Sequence, residues 1–297
     1  MPYLLLVSLI WAISPGLIKG QLIGFDSGFI SAIRLGLALL VFLPLLRPKK
    51  LPAGATLALI GIGALQFGLM YLAYNESFHH LQSYEVALFT LTTPIFVTLF
   101  ADALERTLHL RALLAALIAV AAAALVTFKS IAIESTLVGI VWVQLSNAAF
   151  AVGQVLYRRV RARHPSVRDP EIFGWLYLGG FALTLPVMLI QTDFATFGIS
   201  PTRLLVLVYL GVVSSGLGFF LWNLGATQVS AGLLAVMNNA KIPLMVACSL
   251  LIFREKADPV RLILSGALLA LAVWLSDTKP NPGFSPPRHR DTESNPS

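Results

Sequence analysis

The sequence has little charge and almost no cysteine. Only 12% of its 297 residues are Asp, Glu, Lys or Arg, about half the share that soluble domains carry. The hydrophobic share, 57%, is more apolar surface than a soluble core of this length could bury. The single cysteine, Cys248, excludes an intramolecular disulfide and a metal cluster built on several cysteines. We interpret it as a packing residue.

Recognised catalytic motifs are also missing. The sequence contains no HExxH zinc motif, no P-loop, no nucleophile elbow and no paired Asp-rich motif. We therefore expect no enzyme activity, no bound metal and no cofactor. The net charge of +7 does not require a nucleic acid partner, because basic loops that face an anionic membrane leaflet account for it.

Long apolar runs are the main feature of the chain. A run of roughly 17–25 apolar residues is long enough to cross a bilayer as a helix, and the sequence contains ten. We therefore predict an all-α integral membrane protein with ten transmembrane helices. The predicted spans are Tyr3–Ile18, Phe25–Leu46, Ala53–Tyr74, Tyr84–Ala103, Leu110–Phe128, Thr136–Tyr157, Ile172–Ile190, Leu204–Leu224, Ala231–Phe253 and Val260–Ser276.

The loops indicate the orientation of the chain. If the N-terminus is cytoplasmic, most of the Lys and Arg residues outside the spans lie on the cytoplasmic side, as the positive-inside rule requires. We expect a multi-pass protein of the bacterial cell (inner) membrane, in contact with lipid and with both termini in the cytoplasm. Residues 277–297 are polar and proline-rich, which predicts a disordered cytoplasmic tail. The protein is expected to be a monomer or a homodimer.

The two halves of the chain carry the same landmarks in the same order. Tyr74–Asn75 in the first half and Trp222–Asn223 in the second are each followed, one span later, by a proline, Pro94 and Pro243. Each half has five predicted spans. Because five is odd, the second copy must be inverted relative to the first, which is typical of transporters. The predicted repeats are residues 1–130 and 131–276.

These landmarks resemble the EamA-type transporters of the drug/metabolite transporter superfamily. The resemblance implies a secondary-active carrier of small organic metabolites such as amino acids, carboxylates or amines, often an exporter, that works by alternating access. It also implies a central site lined by the first, third, fourth, sixth, eighth and ninth spans. The residues that carry the likeness are Trp11, Ser14–Gly16, Ala32–Arg34, Tyr74–Asn75, Thr93–Phe96 with Glu105, and Lys241–Leu244 with Glu255.

Lys241 is the candidate centre of the site. A lysine near the middle of a span costs about 2.5–3.5 kcal/mol on insertion scales and indicates function by default. We predict that it holds a substrate carboxylate, with Asn238 on roughly the same helix face. The structural alternative is that Lys241 pairs with a backbone carbonyl freed by Pro243 or extends towards the membrane surface. The matching place before Pro94 holds Thr92 and Thr93, so only one half carries the cation.

Other residues of the proposed cavity helices complete the predicted substrate site. They are Trp11, Ser14, Tyr74, Asn75, Thr90, Thr93, Asn147, Trp222 and Asn223. The residues with a predicted structural or gating role are Arg34, Pro94, Pro243, His80 and Glu85. Arg34 could bind a substrate carboxylate bidentately, but we favour a structural pair with Glu76 or Glu85. His80 and Glu85 would form either a proton-responsive gate, with protons as the candidate coupling ion, or a solvated helix end. Ser214 and Ser215 are expected to serve close helix packing.

Two other functions remain as alternatives. Lys241 could form a retinal-type Schiff base, although no Asp or Glu lies in the middle third of a predicted span to act as its counter-ion. The same absence gives a sodium site no central carboxylate. A channel would pass single-channel currents, whereas a carrier shows saturable flux that counter-flow stimulates.

Overall fold

The structure is a computed structural model that describes residues 2–106, 133–195, 198–228, 231–256 and 258–276, together with positions 114, 118 and 121. Within these ranges the chain forms helices and turns and contains no strand. The predicted span Leu110–Phe128, apart from those three positions, and the predicted tail 277–297 lie outside the described residues. The prediction of an all-helical membrane protein is confirmed.

The long helices of the described residues follow nine of the predicted spans. They are α1 (Pro2–Leu22), α2 (Ser27–Leu45), α3 (Ala53–His80), α4 (Ser83–Leu104), α5 (Ile133–Arg163), α6 (Asp169–Gln191), α7 (Pro201–Gln228), α8 (Ala231–Leu251) and α9 (Pro259–Ser276). Seven of them, α1 to α7, contain stretches that are long and apolar enough to cross a membrane. Helices α8 and α9 contain shorter apolar stretches, Lys241–Leu251 and Pro259–Leu268.

Polar side chains begin several of these helices, because the first backbone N–H groups of a helix have no partner within it. The Asp26 carboxylate accepts a hydrogen bond from the Phe29 backbone N–H at 2.6 Å, at the start of α2. Glu85 accepts one from the Gln82 backbone N–H at 2.8 Å, at the start of α4. Glu85 therefore has a capping role here.

Three of the described helices contain π-helical segments, in which the backbone is wider than in an α-helix. The segments are Ile18–Leu22 in α1, Ala64–Leu69 in α3 and Tyr209–Leu217 in α7, and helices α3 and α7 are both 28 residues long. Such segments leave carbonyl groups free to accept other donors and are frequent at functional sites. In α7 the Ser215 and Gly216 carbonyls accept from the Tyr177 hydroxyl at 2.8 and 2.6 Å.

Glycines allow α3 and α6 to touch through their backbones. A Cβ atom on Gly63 would lie 1.9 Å from the Leu176 carbonyl oxygen, and one on Gly179 would lie 1.9 Å from the Ile60 carbonyl oxygen. Small residues at such crossings are the usual solution in membranes, where van der Waals packing drives helix association. This contact positions α3, which carries part of the site, against the second half of the chain.

One end of the bundle is closed by a set of contacts that we call the Glu255 clasp, formed by Glu255, Ser83, Tyr84 and Ser249. The Glu255 carboxylate accepts from the backbone N–H groups of Ser83 and Tyr84, each at 3.1 Å. The Ser249 hydroxyl donates to the same carboxylate at 2.5 Å. The clasp therefore ties the segment that follows α8 to the first turn of α4.

Helix α1 joins the same closed end. The Phe253 ring lies against Gly16 so closely that a Cβ atom at Gly16 would be 2.1 Å from the ring. The Lys19 ammonium donates to the Phe78 carbonyl at 2.6 Å, near the end of α3. Residues from both halves of the sequence thus meet here, above the cavity described next.

Candidate functional site

A cavity of about 80 Å³ lies among helices α1, α2, α3, α4, α5, α7 and α8. Its lining combines two cations with hydroxyl groups and aromatic rings, and none of the described lining residues is Asp or Glu. The lining residues are Trp11, Ser14, Arg34, Met70, Tyr71, Tyr74, Thr90, Thr93, Ser146, Asn147, Phe150, Ser214, Phe219, Lys241 and Met245. Seven of the residues predicted for the substrate site are among them, namely Lys241, Trp11, Ser14, Tyr74, Thr90, Thr93 and Asn147.

Lys241 projects from α8 into a cage of aromatic rings. Its Nζ atom lies 4.7 Å from the centre of the Trp11 ring, 4.8 Å from that of Trp222 and 6.0 Å from that of Phe150. Cation–π attraction offsets part of the cost of burying the ammonium group, and Lys241 as a whole is only 6% exposed. No carboxylate among the described side chains forms an ion pair with Lys241, and its role in holding a substrate carboxylate stays a prediction.

The Trp11 ring is held by contacts with α7. Its indole N–H donates to the Ser214 carbonyl at 2.9 Å, which is available because Ser214 lies in the π-helical segment. Gly218 provides the space, since a Cβ atom there would be 2.8 Å from the indole nitrogen. The Ser14 and Ser214 hydroxyls also bond to each other at 3.0 Å. The face that Trp11 presents to Lys241 is therefore fixed.

Arg34, the second cation, is bound by hydroxyl groups. Its Nε donates to the Ser215 hydroxyl at 3.1 Å and its Nη2 to the Tyr71 hydroxyl at 2.7 Å, while the Tyr71 ring lies 4.0 Å from the guanidinium carbon. The predicted pairing with Glu76 or Glu85 is wrong: Glu76 lies 4.0 Å from His80, and Glu85 caps α4. Arg34 is 2% exposed, and its Nη1 has no hydrogen-bond partner among the described residues.

Helix α4 reaches the cavity at a distorted turn. Pro94 has no N–H, so the Thr90 carbonyl loses its α-helical donor and accepts instead from the Thr93 backbone N–H and from the Thr93 hydroxyl, the latter at 2.8 Å. Residues Thr90–Thr92 form a 3₁₀ turn. From α5, the Asn147 amide donates to the Phe89 carbonyl at 2.9 Å. These bonds hold the hydroxyls of the turn at the cavity wall.

The structure places three of the predicted site residues outside the lining. Asn75 donates to the Ser31 hydroxyl at 2.9 Å. Asn223 accepts from the Gln66 amide at 3.3 Å and so joins the two halves. Trp222 is fully buried behind the cavity, where its ring contacts Lys241. The side chain of Asn238 lies outside the part of the chain that the structure describes.

Ser214 and Ser215 belong to the candidate site, although the sequence pattern assigned them to helix packing alone. Ser214 lines the cavity, and the Ser215 hydroxyl binds Arg34 and Tyr71. Their role depends on the π-helical segment, for which the sequence offers only a run of small residues. Tyr71, by contrast, is an aromatic residue of the third span, one helical turn before Tyr74, and the sequence indicates it as candidate cavity lining.

Comparisons with known proteins indicate that this chain is similar to membrane transporters. A family model described as the EamA-like transporter family matches residues 1–128 and 137–277. A probable biotin transporter of Pseudomonas aeruginosa is 41% identical over 278 residues, which cover 93% of this chain and 97% of that protein. The biotin transporters of Salmonella typhimurium and Escherichia coli K12 are 34% and 35% identical, and in each case the match covers 93% of this chain and 92% of the relative.

The fold also matches a solved structure. A crystal structure with 18% sequence identity superposes with a TM-score of 0.64, and the match covers 93% of this chain and 95% of that one. At this identity the likeness concerns the fold alone.

Proposed function

The chain belongs to the EamA-like transporter family of the drug/metabolite transporter superfamily, and on this premise we propose that it carries biotin, or a close analogue, across the bacterial inner membrane. Biotin is a monocarboxylate whose alkyl chain ends in a bicyclic ring with a urea group. The names of the relatives favour this substrate. They give no support to the amino acid export that the family resemblance alone suggests.

The observation that carries the proposal is the charge of the cavity. Two buried cations, Lys241 and Arg34, line it, and no Asp or Glu is among the lining residues that the structure describes. A buried charge is stable only when it is paired or hydrogen-bonded. The carboxylate of a substrate would supply the missing negative charge at Lys241, and the surrounding rings would cover its alkyl chain.

The mechanism that we propose is secondary-active alternating access by ten helices in two inverted repeats of five. The equal lengths of α3 and α7, and the π-helical segment in each, support the repeat. An apolar cavity of about 150 Å³ binds benzene, so a cavity of about 80 Å³ is too small for a bicyclic acid. Substrate entry therefore requires helices to move apart, and opening at the Glu255 clasp would provide one route. In this proposal both termini are cytoplasmic.

Transport by purified protein in liposomes tests the proposal. We expect saturable flux of radiolabelled biotin that unlabelled internal biotin accelerates. Loading the label inside or outside, with and without a pH gradient, measures the direction, for which export is the family expectation, and the coupling to protons.

The key variant is Lys241→Ala, which should lower flux at least about tenfold because the ion pair is lost while the fold is kept. Lys50→Ala, which removes an exposed lysine of the loop before α3, is the matched control and should transport normally. Normal flux through Lys241→Ala, or unitary currents through the wild-type protein, would overturn the proposal.

A further inference from the structure

The two cations occupy different surroundings within the same cavity. Lys241 is surrounded by the rings of Trp11, Trp222 and Phe150. Arg34 is surrounded by hydroxyl groups, because Tyr71 and Ser215 bind it directly. The first environment suits an alkyl chain that ends in a charge, whereas the second suits a polar group that both donates and accepts hydrogen bonds.

The hydrogen bonds of Arg34 determine which part of its guanidinium group is free. The one hydroxyl hydrogen of Ser215 is directed to the Leu210 carbonyl at 2.7 Å. The 2.7 Å bond between the Tyr71 and Ser215 hydroxyls must then be donated by Tyr71. Both hydroxyl oxygens are thus left to accept from Arg34, one from Nε and one from Nη2.

The remaining edge of the guanidinium group, at Nη1, has no hydrogen-bond partner in the part of the chain that the structure describes. An unsatisfied donor on a buried charged group is costly, because no hydrogen bond offsets the loss of its hydration. Because Arg34 lines the cavity and its other edge is held rigidly, Nη1 is a preorganised donor for a ligand acceptor.

We infer that Arg34 binds the end of the substrate opposite to its carboxylate, through the oxygen of a urea-type carbonyl. This inference rests on the proposed function and narrows it. The hydroxyls of Ser14 and Thr90, which also line the cavity, are available as acceptors for the urea N–H groups. The substrate class is then a monocarboxylate joined through an apolar body to a cyclic urea. Lys241 binds the carboxylate end and Arg34 binds the urea end.

Two analogues of biotin test the two ends of the substrate separately, because one changes the urea group and the other changes the carboxylate. In the imino analogue an N–H group replaces the urea oxygen, so at pH 7 the ring is a protonated cyclic guanidine that cannot accept from Arg34. In the methyl ester the carboxylate is removed. Affinities are measured by competition against radiolabelled biotin on purified protein in detergent.

We expect wild-type protein to bind biotin at least about tenfold more tightly than either analogue, which corresponds to 1.4 kcal/mol. In Arg34→Gln the preference over the imino analogue should fall to about one, because an amide oxygen accepts from the imino group. Its preference for biotin over the methyl ester should persist. In Lys241→Gln the preference over the methyl ester should fall to about one, and the preference over the imino analogue should persist.

The outcomes distinguish this inference from the function on which it rests. If wild-type protein does not bind biotin, the proposed function fails and the inference fails with it. If biotin binds but Arg34→Gln lowers the affinities for biotin and for the imino analogue by the same factor, only the inference fails. A lost preference over the ester in Arg34→Gln would instead place the carboxylate at Arg34. The second variant, Tyr71→Phe, keeps the charge of Arg34 but removes the hydroxyl that accepts from Nη2. It should partially lower the preference for biotin over the imino analogue.

Discussion

From the Glu255 clasp we predict that a single substitution, Glu255→Gln, opens one end of the cavity. In alternating access, contacts that exist only in one state set the balance between the states. The clasp joins the segment after α8 to α4 through the bonds from Ser83, Tyr84 and Ser249 to the Glu255 carboxylate. Glu255→Gln retains one acceptor oxygen and replaces the other with a donor, so at least one of these bonds is lost.

The size of the effect follows from the kind of bond that is lost. A hydrogen bond to a charged group contributes about 1.5–3 kcal/mol, which would change the equilibrium between closed and open states by about 10- to 150-fold. Glu255 is half-buried, and solvent screening weakens such an interaction. We therefore expect a shift of about 10- to 30-fold towards the open state.

A thiol in the cavity reports this shift. The background is Cys248→Ala, which removes the single cysteine, with Ser14→Cys as the probe in the cavity lining. A membrane-impermeant maleimide, added separately to each side of sealed vesicles, should react about 10- to 30-fold faster from the clasp side when Glu255→Gln is present. Glu76→Gln, which changes a carboxylate near the end of α3 outside the clasp, should leave the rate unchanged.

Two results would refute the reasoning. An unchanged rate from the clasp side would mean that the clasp does not hold this end closed. Equal acceleration from both sides would mean that the substitution loosens the whole bundle rather than one end of it.

Two further substitutions test the packing and the distorted turn of α4. Gly63→Ala should lower the thermal stability of the purified protein by about 1–3 kcal/mol or prevent folding, because its Cβ would be 1.9 Å from the Leu176 carbonyl. Gly61→Ala, where a Cβ meets nothing within 4 Å, is its control, and equal melting temperatures for the two variants would contradict the assigned contact. Thr93→Val leaves the Thr90 carbonyl with only the Thr93 backbone N–H as its donor and should cost about 1 kcal/mol in a denaturant titration. An unchanged midpoint would show that the backbone N–H satisfies this carbonyl by itself.

The helices and the general location of the site follow from local features of the chain. The length of an apolar run is a property of consecutive residues, and a bilayer imposes the same length on every span, so the described helices coincide with predicted spans. Lys241 and the threonines beside Pro94 stand out because polar groups are costly in hydrocarbon. These features were enough to predict much of the cavity lining.

The partners of those polar groups were not predictable from local features. Arg34 binds residues that are 37 and 181 positions away in the sequence. The nearby carboxylates seemed the natural partners from charge alone, but Glu85 is used to begin α4. Asn223 was expected in the site and instead joins Gln66 across the two halves. Choices of this kind depend on which helices become neighbours.

The sequence by itself determined that this protein is a helical membrane protein with buried cations, because hydrophobicity and the cost of charge act residue by residue. Only the tertiary structure decided which groups surround each of those cations. Rings from α1, α5 and α7 converge on Lys241, and the π-helical segment of α7 brings Ser215 to Arg34. The physical reason is that cation–π contacts and hydrogen bonds act over a few ångströms, so they exist only where packing has already brought distant segments together.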